Sequence, residues 1–366
     1  MNNRYRSVDM IKGIAMLMVI LSHYGQCFDS WECLVFQFFR MGCSVFFVAS
    51  GFSIMCLLSK SKYTELNANN YLRFMSSRVK ALAPGWYLGI LIVFLANSLS
   101  LHINGNALSF GNNREGISIL CNILFLHGFL PFCNSNVMPG GWYIGATMIL
   151  YSITPLILVL IKPIKKRWLT FIGLTLISIL LNLLLMVIFK ESYTSNDFYY
   201  YFFATHFPEY LLGLILYYDF IENKLTKNAY KLMILGLSVL VVAVIIFYLY
   251  PRSISQVLSA WITGIATYFI LYFLLSNEKQ KKTFSVTALV TIGRSSYYIY
   301  LLNAFFTFTF TKDALRILGE MGVASDWSFV VLLPVVILLS VEAGLLMQKT
   351  VRLILPVLRK IYTAAS

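Results

Sequence analysis

The chain has 366 residues, 59% of them hydrophobic and 12% charged, with a formal net charge of +14. A soluble domain carries about 25% charged residues, so a water-soluble globular fold is excluded. The basic residues crowd the ends of apolar segments, so their excess reads as membrane orientation and not as nucleic-acid binding.

A bilayer span needs about 20 apolar residues. In chain order such segments fall at 11–28, 41–58, 81–101, 142–161, 168–189, 202–220, 232–250, 256–275, 286–308 and 327–347. The expected fold class is therefore all-α: a polytopic membrane helical bundle of about ten transmembrane helices, forming a single domain over residues 1–366. The first segment lacks a small-residue cleavage site and is expected to be retained as a span. One further apolar stretch, 117–132, is left over, and charge decides its treatment. If it does not cross, 22 of the 29 lysines and arginines fall on the face that holds the N-terminus and 6 on the other, with Arg294 inside a span. If it crosses, the split becomes 12 against 16. The positive-inside rule selects the first arrangement. Both termini are then cytoplasmic, and 117–132 is a re-entrant or interfacial segment on the outer side.

The first span carries unusual residues. Asp9, Lys12 and His23 lie in or beside it, and an ionisable group within a membrane points to function. The eleven-residue step from Lys12 to His23 comes within about 20° of whole turns, so both share one helix face, roughly 16 Å apart along the axis. His23 is the side chain best suited to exchange a proton near neutral pH; the plainer reading is a buried histidine bonded to a neighbouring helix. Lys12 is either a charge anchor at the membrane edge or a functional cation, and Asp9, three residues earlier, can pair with it. Arg73, Arg78 and Lys80 precede Pro84. Such a cluster suits phosphate groups or, equally, anionic lipid headgroups.

Gly42, Ser50 and Gly51 allow helices to approach closely. Trp142, after a Pro139-Gly140-Gly141 turn, suits an outer interface. His206 and Glu209 form either a second acid/base pair or a structural hydrogen bond, and Glu342 is expected to be buried in the last span. Arg294, Ser296, Tyr297 and Asn303 make the ninth span polar, so it should face the bundle interior. The six cysteines contain no Cys-x-x-Cys pair, so no metal is expected. For Cys27, Cys33, Cys121 and Cys133, all on the outer side in this topology, a disulfide between the first outer loop and 117–132 stays open beside the reading as small apolar residues.

In this order the motifs resemble the acyltransferase-3 family of integral-membrane O-acyltransferases over nearly the whole chain. Its opening Asp, Arg-Gly-Ile-Ala and His stand here as Asp9, Lys12-Gly13-Ile14-Ala15 and His23, with Lys in place of Arg. Its Phe-Phe-Val-x-Ser-Gly-Phe signature is residues 46–52. Arg78 matches the first of two arginines before a proline, while the second is Ala81. Trp142, Tyr151 and Pro155 match a later motif whose glutamate is Thr147 here, and the segments 207–213 and 293–301 are also similar, with Asn303 where a His often follows.

The resemblance implies transfer of an acyl group, usually acetyl from acetyl-CoA, to a hydroxyl of a cell-surface glycan or its lipid-linked precursor, in a bacterial inner (plasma) membrane. His23 and Asp9 would be catalytic, Lys12, Arg78 and Lys80 would bind the donor cofactor, and Ser50, Trp142 and Glu209 would bind substrate. Expected partners are membrane lipids and the glycan, with a second copy or glycan-synthesis proteins as further options. Thr147 and Asn303 motivate an alternative, a catalytically altered homologue that exports a polysaccharide or lipid-linked glycan. A structural role in a polysaccharide synthase complex is a third reading.

Overall fold

The structure, a computed structural model, describes residues 5–28, 31–59, 67–103, 113–130, 133, 137–163, 166–195, 198–222, 229–249, 252–278 and 283–365. Every regular element among them is helical. In order these are α1 (Arg6–Gly25), α2 (Trp31–Gln37), α3 (Gly42–Leu58), α4 (Ala68–Ile103), α5 (Asn113–Ile123), α6 (Trp142–Ile161), α7 (Arg167–Ser195), α8 (Phe198–Tyr201), α9 (Phe207–Ile221), α10 (Ala229–Leu249), α11 (Arg252–Ser276), α12 (Phe284–Ala304), α13 (Thr311–Glu320) and α14 (Ser325–Ala365). The chain is an all-α polytopic membrane bundle, as expected.

Eight helices among the described residues are long and apolar enough to cross a membrane. They match eight of the ten expected spans, and the other two have physical explanations. The segment 202–220 is divided: a 3-10 turn, Phe203–His206, leads into α9, which has only 15 residues and is buried along most of its length. The segment 286–308 becomes α12, which has 21 residues but is made polar by Arg294, Ser295 and Ser296, and it continues as a π-helical stretch, Phe305–Phe310. The leftover apolar segment begins within a short helix. Its helix, α5, has 11 residues, far short of a span, and the chain turns away at Phe125, which has a φ of 59°.

Two close helix contacts set the packing. A Cβ added to Gly13 would lie 2.1 Å from the Leu289 carbonyl oxygen, and one added to Gly293 would lie 1.7 Å from that of Asp9. At this crossing α1 and α12 touch backbone to backbone, which only glycine allows. The contacts Asp9–Arg294, His23–Asn303 and Cys27–Thr307 climb both helices together, so α1 and α12 run parallel. Parallel first and ninth spans require an odd number of crossings between them, and seven remain if 117–132 does not cross. The second contact joins α3 to α9, where Gly51 meets the Tyr210 carbonyl and Gly213 meets that of Val48.

Some expectations need correction. The polar stretch 59–78, expected to be a cytoplasmic loop, is helical from Ala68, where α4 begins, so Arg73 and Arg78 lie on that helix, as does Lys80. Glu342 is not buried but exposed on α14. Cys27, Cys43, Cys56, Cys121 and Cys133 are all free thiols, and the side chain of Cys33 is outside the described ones.

The α1–α12 contact can be tested by one methyl group. Gly293→Ala should lower the thermal midpoint of the detergent-solubilised protein by the equivalent of at least about 1–3 kcal/mol of overpacking. Gly173→Ala on α7, where an added Cβ meets nothing within 4 Å, should leave the midpoint unchanged or raise it slightly.

Candidate active site

His23 sits on the last turn of α1, where its Nδ1 lies 2.7 Å from Oδ1 of Asn303 on α12. The orientation of that amide follows from its other contact. Asn303 Nδ2 points at the Tyr300 carbonyl, which can only accept, so it is the donating end. Oδ1 therefore faces His23, and Nδ1 must carry the proton it donates to Oδ1. This leaves the Nε2 lone pair free as a base. Immediately after Asn303 the helix widens into its π-helical stretch, which brings the Phe308 ring 5.2 Å from the His23 ring. Single π turns recur at functional sites.

His23 opens onto a cavity of about 250 Å³, whose wall also includes Ser22, Gln26, Gln37, Arg40, Cys43, Trp142, Tyr200, Tyr201 and Tyr300. The Pro139-Gly140-Gly141 turn closes one side. Gly140 has a φ of +74°, a conformation that favours glycine. The turn is held by two side chains: Tyr300 donates its hydroxyl to the Gly140 carbonyl at 2.6 Å, and His127 Nε2 meets the Gly141 carbonyl at 2.9 Å. His127 in turn stacks on buried Trp86 of α4, with ring centroids 5.1 Å apart. The segment after α5 is thus a brace for the cavity rim.

A second cavity, about 140 Å³, is lined by Lys12, Phe46, Ser50, Leu82, Tyr143, Thr147, Tyr151, Ser296 and Tyr297. Tyr300 lines both cavities. Lys12 Nζ donates to Ser53 at 2.8 Å, and Ser50 hydrogen-bonds the Tyr143 hydroxyl at 3.2 Å. Tyr300 lies between the two spaces, packed on Tyr143 at 5.4 Å.

The residues singled out from the sequence divide among these places. His23 and Trp142 share the first cavity; Lys12 and Ser50 share the second. Arg78, half-buried on α4, is close enough for its charge to act on Tyr151 in the second cavity's wall, whereas Lys80, two positions on and so about 200° around the helix, is exposed and outside that wall. Asp9 does not join His23: it accepts from Arg294 Nε at 3.0 Å, fourteen residues and roughly 21 Å of helix away. Glu209 lines neither cavity. It is fully buried, with Oε1 held by His206 at 3.0 Å and Ser44 at 3.2 Å, and His206 stacks on Phe47 at 4.4 Å. The contact brings the two side chains together, as both readings of the pair require.

The sequence reading missed Asn303 as a support for His23, and Tyr300, Arg40 and Ser22 as wall residues. A signal for the first was present: Asn303 follows Gly293 by the same ten residues that separate His23 from Gly13.

The structure thus places a histidine, hydrogen-bonded to a neighbouring helix, at the wall of a cavity inside an all-helical membrane bundle. The family model described as "Acyltransferase domain" matches residues 5–346. The chain belongs to this acyltransferase-3 family, and it is an integral-membrane acyltransferase. No curated protein and no solved structure matches it.

If Asn303 fixes the tautomer, Asn303→Ala should lower kcat about 10²-fold, within the range of general-base contributions, with KM for both substrates within a few-fold. Acyl transfer measured under saturation checks this; an unchanged kcat would show that the ring needs no such partner.

Proposed function

We propose that this protein moves an acyl group, acetyl from acetyl-CoA, to a hydroxyl of a cell-surface glycan or its lipid-linked precursor, with His23 as the general base. The observation that carries this reading is the His23–Asn303 hydrogen bond, which leaves Nε2 bare at the wall of an aromatic, partly polar cavity. Lys12, in the wall of the second cavity, and Arg78, on α4 near Tyr151 of that wall, suit the phosphates of the donor from the cytoplasmic side. The roughly 16 Å of helix between Lys12 and His23 suits an extended pantetheine arm passing Tyr300.

In the step itself, Nε2 takes the proton of the acceptor hydroxyl as its oxygen attacks the thioester carbonyl carbon. A C–O bond forms, the C–S bond breaks, and the proton on Nε2 passes to the departing thiolate. The products are an ester and a free thiol. Both chemical roles fall to one histidine, so the reaction needs no second proton carrier, and Thr147 in place of the family's glutamate does not block it.

Export of a glycan without chemistry drew on Thr147 and Asn303; the hydrogen bond of Asn303 to His23 supports the enzymatic reading instead. Both termini on the cytoplasmic side of a bacterial inner membrane fit the distribution of basic residues.

The test is transfer of radiolabelled acetyl from acetyl-CoA to a glycan acceptor by protein in lipid nanodiscs. Wild type should transfer label and release thiol in equal amounts, and His23→Ala should lose about 10²–10⁴-fold in rate. Lys12→Ala should raise the KM for acetyl-CoA more than it lowers kcat. Full transfer by folded His23→Ala removes this histidine from the chemistry, and an unchanged donor KM removes Lys12 from the donor site.

A further inference from the structure

We propose that the protein holds a phospholipid with an amino headgroup. One acyl chain lies in a cleft between α3, α6 and α9, and the phosphate and ammonium groups meet Lys162 and Glu222 at its mouth. The cleft has a volume of about 650 Å³ and shares no wall residue with either cavity described above. Binding there is independent of acyl transfer.

The wall is sorted along the helix axes. Ser59, Lys162 and Glu222 line it, and each directly follows the last residue of its helix, α3, α6 and α9 respectively. Met55, Pro155, Leu158 and Tyr217 lie about one to two turns further back on the same helices. Polar groups therefore ring the mouth and apolar ones the interior, the pattern an amphiphile requires. All three ends lie on the membrane face that holds the N-terminus. Phe52 of α3 and Phe220 of α9 both pack on Tyr5, with ring centroids 5.4 and 5.7 Å away, and Arg167 ties the Ile161 carbonyl of α6 to Glu222 of α9. Val159 and Ile221 of the wall are more than half exposed, so the cleft opens sideways through apolar surface, which in a membrane span faces lipid.

The mouth carries both signs of charge. Lys162 is exposed, and its ammonium makes no ion pair among the described residues. Glu222 accepts from Arg167 Nη2 at 2.6 Å, and Arg167 is 2% exposed, its guanidinium carbon 4.3 Å from the centroid of the Tyr218 ring. The Glu222 side chain is still 35% exposed, and a carboxylate has about four acceptor sites, so it can take an ammonium as well as the guanidinium. The C-termini of α3, α6 and α9 add partial negative charge at the same level. That field disfavours a headgroup with a phosphate alone and favours one that also brings a cation, while Lys162 supplies the partner of the phosphate. A primary ammonium donates three hydrogen bonds and a quaternary one donates none, so an ethanolamine headgroup fits better than a choline.

The test uses full-length protein in nanodiscs and three phospholipid probes with a photoactivatable diazirine in the acyl chain: phosphatidylethanolamine, phosphatidylcholine and phosphatidylglycerol. Each is added in the same trace amount to the same bilayer, and the labelled peptides are located by mass spectrometry. The ethanolamine probe should label residues 155–163 and 217–222 more strongly than either of the others. Lys162→Gln should lower that labelling about 5-fold, as expected for one cation near a lipid surface. Lys231→Gln, an exposed cation on α10 outside the cleft, should leave it unchanged. Val159→Trp, which fills the cleft from its exposed rim, should remove the label while the thermal midpoint is kept. Equal labelling by the three probes, strongest labelling by the glycerol or choline probe, label confined to other helices, or unchanged labelling of Lys162→Gln overturns the proposal. Loss of the label on addition of CoA assigns the cleft to the donor and overturns it as well.

Discussion

The active-site geometry depends on one contact, the backbone-to-backbone crossing of α1 and α12 at Gly13 and Gly293. In lipid there is no hydrophobic force to hold helices together, so close approach and the dispersion it permits must do so. The contact also fixes register. Because the helices run parallel from it, His23 and Asn303, each ten residues further on, arrive at the same level and meet. Asp9 and Arg294 pair near the crossing itself. A change of one residue in register would rotate Asn303 by about 100° away from the imidazole.

The bundle has two inner spaces with different chemistry. One has His23, a guanidinium and stacked aromatic rings; the other has a lysine and a set of hydroxyls. Tyr300 stands at both walls, and its hydroxyl bond to Gly140 couples it to a turn that His127 and Trp86 brace from the other side. Burial of so many polar groups in a membrane protein is tolerated because most are partnered.

Much of the fold was legible because membrane spans announce themselves by length and apolarity. The non-crossing of 117–132 could be read from charge alone, and the parallel course of α1 and α12 agrees with it. The exceptions arise where tertiary burial replaces lipid. α9 is packed inside the bundle and need not span it by its own length, and α12 tolerates Arg294 because that side chain pairs with Asp9. Long-range pairs are what a single sequence hides. Spacing put Asp9 beside Lys12 and Glu209 beside His206, and the second pair is joined by a side-chain hydrogen bond. Asp9 reaches across to α12, and Lys12 reaches to Ser53 on α3.

The candidate site was legible at His23, since an isolated histidine in a span is conspicuous. Its partner was not, because asparagine in a polar helix has many uses and the ten-residue correspondence gains meaning only once the glycine crossing is known. The central claim is that this partner leaves Nε2 of His23 as the free base. Solid-state ¹⁵N NMR of histidine-labelled protein in lipid bilayers, with the His23 signals assigned by their loss in His23→Gln, measures this directly. The account predicts a neutral ring protonated at Nδ1 with Nε2 bare. A ring protonated at Nε2 with Nδ1 bare would contradict it.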